Sequence, residues 1–169
     1  MPGKIATELK TKTDAAWKNL TRQLEGMQPY LERSDEPGQW TTREVLSHLL
    51  FQPGWNATPV LKSFAPQNFP LIEIEAGKPY LDDARKKMSL KEFVDALETQ
   101  HRSVFAVVDS LSDVELQNRK ARIPLFKQFM GTDEVPLAQY IGALFEYHWN
   151  DHAGQLAKIR QSVGLPSAS

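Results

Sequence analysis

The chain has 169 residues, 41% of them hydrophobic and 24% charged, and a formal net charge of -1. That composition suits one soluble globular domain over residues 1–169, long enough to bury a core and too apolar for extended disorder. A pI of about 6.4 leaves no broad basic footprint for nucleic acid or anionic lipid, and the absence of cysteine excludes disulfides, thiolate ligands and a cysteine nucleophile, so His, Asp and Glu are the strong metal-binding side chains left.

Residues 1–10 lack the uninterrupted apolar run of a signal peptide, and no long apolar stretch occurs elsewhere, so the expected location is cytoplasmic with no membrane partner. Ile5, Leu9, Ala16, Leu20, Leu24, Met27 and Leu31 fall mostly three, four or seven apart, which predicts a first amphipathic helix ending near Glu32 and Arg33. Ser34, Asp35, Pro37 and Gly38 then mark a loop. Thr41 and Glu44 have the spacing of a capping box, which predicts a second helix from Thr42 with Val45, Leu46, Leu49 and Leu50 buried. Pro53 and Gly54 are expected to kink or interrupt it before it continues over residues 55–64.

Periodicity is lost over residues 65–88, where Pro66, Pro70, Gly77 and Pro79 predict a long surface connection across one end of a bundle. Ser89 and Glu92 repeat the capping spacing and open a third helix, striped by Leu90, Phe93, Val94, Leu97, Val104, Phe105, Val108 and Leu111. Residues 117–135 read as a second long loop, in which the run Ile123, Pro124, Leu125, Phe126 either pairs as a small ribbon or folds over a cavity as a lid. The basic runs at residues 85–87 and 119–122 read as solvated loops. Pro136 suits the first turn of a fourth helix, along which Leu137, Ile141, Leu144, His148, His152, Gln155 and Ile159 share one face to about Val163. Residues 164–169 read as a flexible tail. Four amphipathic helices without a strand pattern predict an all-α four-helix bundle with long connections after the second and third helices.

Three histidines stand out. Positions i and i+4 of a helix lie about 40° apart around the axis and about 6 Å apart along it, so His148 and His152 can aim at one point. Both follow Leu144 on the apolar stripe, and burying two neutral imidazoles without partners costs on the order of a few kcal/mol. His48, beside Val45 and Leu49, is the third candidate, because facing helices of a bundle build internal sites. Three hydrogen-bonded core histidines bridged by water satisfy the same pattern. His101, four residues after Leu97 and three before Val104, reads first as a core or boundary histidine with one hydrogen bond and second as a fourth ligand or a supporting group. Glu44, Gln52, Glu146, Asp151 and Gln155 lie within about a turn of the three histidines and are candidates to orient an imidazole. Trp40, Trp55, Phe126, Tyr147 and Trp149 either wall an apolar pocket or belong to the core.

The stretch Trp40-Thr41-Thr42-Arg43-Glu44-Val45-Leu46-Ser47-His48-Leu49 resembles the start of the second helix of the DinB/YfiT-like superfamily. His148-x-x-x-His152-x-x-Gln155-Leu156, preceded by Gly131-Thr132-Asp133-Glu134-Val135-Pro136-Leu137, resembles its closing helix. Each motif is short, but the order and lengths of all four helices agree, so the resemblance covers most of the chain. It implies a four-helix bundle of up-down-down-up style, a divalent metal held by His48, His148 and His152, and a homodimer; it gives His101 no role. Zinc and nickel head the candidate metals, and three neutral ligands leave a coordination position open. Related folds include transferases and isomerases that use a low-molecular-weight thiol, and others described as metal-dependent hydrolases. The resemblance therefore implies a metal-dependent enzyme acting on a small-molecule substrate by thiol transfer, with such a thiol as co-substrate, or by hydrolysis. No catalytic residue is assigned. A non-enzymatic small-molecule or metal-binding bundle and a dimeric structural or interaction protein are the alternatives. The family name implies no DNA contact, in agreement with the charge, while Pro53-Gly54 and the length of residues 117–135 depart from the pattern.

Overall fold

Several helix starts in this chain are set by side chains that answer free backbone N–H groups. Thr41, Ser89 and Ser112 each accept from the N–H three residues on, and Glu44, Glu92 and Glu115 return a carboxylate to the capping residue's own N–H. The first two open helices where the spacing predicts them. The third opens a short helix outside the predicted elements.

In the computed structural model, which describes residues 1–168, the elements run α1 (Lys4–Leu24), α2 (Thr42–Leu49), α3 (Ala57–Ser63), α4 (Leu90–Val108), α5 (Asp113–Asn118), β1 (Lys120–Arg122), α6 (Lys127–Met130), β2 (Glu134–Pro136), α7 (Leu137–Gly142) and α8 (His148–Ser162). A π-helical segment, Ala143–Tyr147, joins α7 to α8, so the last two helices form one long rod. The architecture is a four-helix bundle made of α1, the interrupted arm α2 and α3, α4, and the rod. The rod lies along α1 over its whole length, and α8 also meets α2.

Three expectations are corrected and a fourth is met. The first helix ends at Leu24 rather than near Glu32, because Gly26 takes φ 76° and turns the chain. Met27 and Leu31 are still buried, flanking a single 3-10 turn, Gln28–Tyr30. The interruption expected at Pro53-Gly54 is present: α2 ends at Leu49 and the chain turns at Gly54 (φ 83°) before α3. Asn56 then caps α3 through its side-chain oxygen.

Residues 117–135 are not a plain loop. Strands β1 and β2 pair antiparallel, Ala121 opposite Val135, and both residues are fully buried. The apolar run 123–126 lies between the two strands rather than within them, because Pro124 lacks the N–H a strand partner needs. The preceding connection is tied to the same ribbon: Ala65 exchanges hydrogen bonds with Lys120, and Ile72 N–H donates to the Arg122 carbonyl.

The third correction concerns the rod. The fully buried positions are Leu137, Ile141, Phe145 and Trp149, with Ala153 and Leu156 following. The stripe through Leu144, His148 and His152 is only half-buried. Core and histidines occupy adjacent faces of one helix, with the core face on α1 and the histidine face toward α2.

Because the capping box sets where α2 begins, and hence where His48 stands, Thr41→Ala is expected to destabilise the protein by about 1 kcal/mol. The shift of a urea unfolding midpoint against wild type measures it.

Candidate metal centre

α2 and α8 bring the three histidines together. One ring nitrogen from each of His48, His148 and His152 lies within 4.8 Å of the others, and Nε2 of His48 and Nε2 of His148 are 2.8 Å apart. The ring centroids form a near-equilateral triangle, with separations of 4.7, 4.8 and 4.7 Å.

Hydrogen bonds set which nitrogen of each ring faces inward. His48 Nδ1 lies 2.7 Å from the Lys78 carbonyl. A carbonyl only accepts, so Nδ1 carries the proton and Nε2 presents its lone pair to the other rings. His152 Nδ1 is paired in the same sense with Gln155 Oε1 at 2.7 Å, which turns its Nε2 inward. With both Nδ1 atoms donating, the His148 Nε2–H is the proton shared with His48. Trp40 covers the cluster, its ring 4.9 Å from that of His48 and parallel to that of His152 within 8°.

The donor set fits a small divalent ion. Ligands about 2.0–2.1 Å from a tetrahedral ion stand about 3.4 Å from one another, a spacing between the 2.8 Å of the closest pair and the 4.8 Å limit of the group. Two of the rings already have the outward hydrogen bond that metal-bound histidines make.

The other sequence candidates fall in different places. Glu44 is engaged at the Thr41 N–H, and Gln52 is exposed. Asp151 is exposed, yet close enough for its charge to act on His48. Glu146 makes no hydrogen bond to a histidine among the described residues. Of the aromatic candidates, Trp55 packs on Phe51 at 4.8 Å, Phe126 packs between Phe129 and Tyr140, and Tyr147 is 68% exposed. Trp149 is fully buried among Trp17, Phe145 and His101, and its Nε1 has no partner among the described residues. His101 stands apart, with one hydrogen bond, to Thr13. The Thr13 hydroxyl donates to the Lys10 carbonyl, so His101 Nε2–H donates to Thr13. Lys78 is the site residue that sequence reasoning missed: its contribution is a backbone carbonyl thirty positions from His48, which no side-chain pattern encodes.

No family model matches the sequence, and no curated protein matches it. Solved structures do match. YfiT from Bacillus subtilis, described as a probable metal-dependent hydrolase with an unusual four-helix bundle topology, superposes with a TM-score of 0.65 at 18% identity, over 95% of this chain and 89% of its own. The chain has the fold of YfiT. A crystal structure of an uncharacterized protein from Clostridium difficile 630 has a TM-score of 0.64 at 16% identity, covering 92% of this chain and 95% of its own. The YfiT fold is the one the sequence resemblance implies, and among the described residues no helix is long and apolar enough to cross a membrane.

Within this YfiT-fold bundle the electrostatics disfavour a charge on His148 and His48. Burial, then the neighbouring His152 and His48, push the His148 pKa down to about 3. Burial also lowers that of His48, helped by His152 and opposed by the Lys78 hydrogen bond and by Asp151. Neutral imidazoles are what a metal requires.

The same shift ties stability to pH. Between about 3 and 6.5 the unfolded chain takes up a proton at His148 that the folded chain refuses. This contribution is intact above 6.5 and is lost as pH falls through the window, at up to about 1.4 kcal/mol per pH unit. Chelator-treated wild type is therefore expected to lose stability between pH 7 and pH 5, and His148→Gln to lose less, as read from urea midpoints at the two pH values. Equal losses in the two proteins would contradict the shift.

Proposed function

We propose that this chain is a metal-dependent enzyme acting on a small molecule, with His48, His148 and His152 holding a divalent ion, zinc or nickel first. The observation that carries the reading is the convergence of three imidazoles, two of which, His48 and His152, have their inward nitrogens selected by hydrogen bonds to Lys78 and Gln155. Three core histidines that served packing alone would have no need of a shared inward direction.

Such an ion, with three neutral ligands and an open position, supplies either a water of pKa near ~7 or a bound thiolate. The protein supplies the rest. His148 stays neutral because it is buried beside two other imidazoles. Trp40 shields one side of the cluster from water. Asp151, exposed on α8 between the two histidines and acting on His48 through its charge, is the carboxylate we assign to accept a proton from the nucleophile. Hydrolysis is placed first because YfiT is described as a probable metal-dependent hydrolase. Transfer of a low-molecular-weight thiol would use the same open position.

Protein stripped of metal and reloaded with zinc or nickel is expected to hold about one ion per chain and to turn over members of an ester and amide panel, or to conjugate an electrophile with a cellular thiol. His148→Ala should lose both the ion and at least about a hundredfold of the activity. Binding without turnover of either kind would make the chain a metal-binding bundle, and no binding after loading would reject the proposal.

A further inference from the structure

Residues 75–88 look on sequence like a solvated connection, yet they contain the polar contacts that reach furthest into the site. The Lys78 carbonyl accepts from His48 Nδ1 although Lys78 itself is exposed. A carbonyl on an exposed, unanchored loop would not hold one imidazole in one tautomer, so something must fix the loop.

The loop is braced from within and locked from outside. Gly77 turns with φ 79° and Tyr80 with φ 54°, the latter an uncommon conformation for a bulky aromatic residue. The Tyr80 hydroxyl donates back to the Glu75 carbonyl at 2.8 Å, and Lys78 pairs with Glu75. Pro79 restricts Lys78 to extended backbone.

The lock is Arg85. Its guanidinium donates to the Ser47 carbonyl at 3.0 Å, to the Tyr80 carbonyl at 3.4 Å, and to the Phe51 carbonyl. It has no carboxylate ion pair among the described residues. Ser47 and His48 share a peptide unit, so one planar group bridges the backbone that carries His48 and the loop that presents Lys78. Arg43 completes the clasp from the opposite direction. It stands on α2, is 8% exposed, is paired with Glu32, and donates to the carbonyls of Arg85 at 3.0 Å and Met88 at 2.6 Å. Each arginine thus holds the backbone of the other's segment.

We infer that this reciprocal arginine clasp is a positioning device for the candidate metal centre, in which Arg85 holds the loop so that the Lys78 carbonyl fixes His48 with its proton on Nδ1 and Nε2 free to ligate. The inference rests on the metal reading of the three histidines for its purpose. The tautomer it predicts belongs to the metal-free protein.

The test uses the full chain with 15N-labelled histidine, stripped of metal, read by long-range proton–nitrogen correlation and then by zinc competition against a chromophoric chelator. Wild type should show His48 as a single Nδ1–H tautomer. Arg85→Met removes the lock, and Gly77→Pro, at an exposed position whose positive φ proline cannot adopt, displaces the carbonyl without touching the core. In either folded variant His48 should become a mixture of tautomers and the zinc Kd should weaken by about 10- to 100-fold. His101, held by Thr13, should keep its Nε2–H in both. A His48 signal that stays fixed, or a zinc Kd that does not move in a folded variant, overturns the inference. If Arg85→Met does not fold, Gly77→Pro decides. If wild type takes up no zinc, the metal reading fails, and the tautomer comparison still decides whether the clasp fixes His48.

Discussion

Two helices here press three imidazoles against one another, and each ring must satisfy two nitrogens in a half-buried space. That requirement shapes the site. Leaving such groups unanswered costs more than a typical hydrogen bond returns, so the outer nitrogens of His48 and His152 are bonded, to Lys78 and Gln155. What remains faces inward, where burial lowers the basicity of His48 and most strongly that of His148. A cluster in this state is disposed toward a cation that brings no proton.

The rod that carries two of the histidines serves two masters on adjacent faces. Phe145 and Trp149 fill the core against α1, and His148 and His152 lie one position to the side. The π-helical segment directly before His148 makes this arrangement fit. Five core positions, Leu137, Ile141, Phe145, Trp149 and Ala153, are each four residues apart, and in an ideal α-helix that spacing drifts about 160° around the axis. A wider turn at Ala143–Tyr147 absorbs part of the drift and keeps all five buried. Such turns occur often at functional sites.

Much of this was legible from residues alone. Thr41 with Glu44 and Ser89 with Glu92 mark the starts of α2 and α4 because a capping box is a local side-chain code. The bundle class follows from helical periodicity, and the juxtaposition of His48 with His148 and His152 from their placement on facing helices together with the family resemblance. The end of the first helix is not legible because Met27 and Leu31 stay buried after the helix stops, so the apolar periodicity outlasts the helix. The stripe Leu137, Ile141, Leu144 follows ordinary α-helical spacing and so places Leu144 on the core, where the π-helical turn puts Phe145 instead. The Lys78 carbonyl and the arginine clasp were not legible, because backbone acceptors carry no side-chain signal and Arg85 sits in a basic run that resembles a solvated surface.

The candidate centre depends on three imidazole nitrogens meeting one ion. X-ray absorption at the metal edge of zinc-loaded protein measures that meeting most directly. It should show three histidine rings about 2.0–2.1 Å from zinc with one further light atom. A spectrum without histidine scattering, or with a single ring, would contradict it.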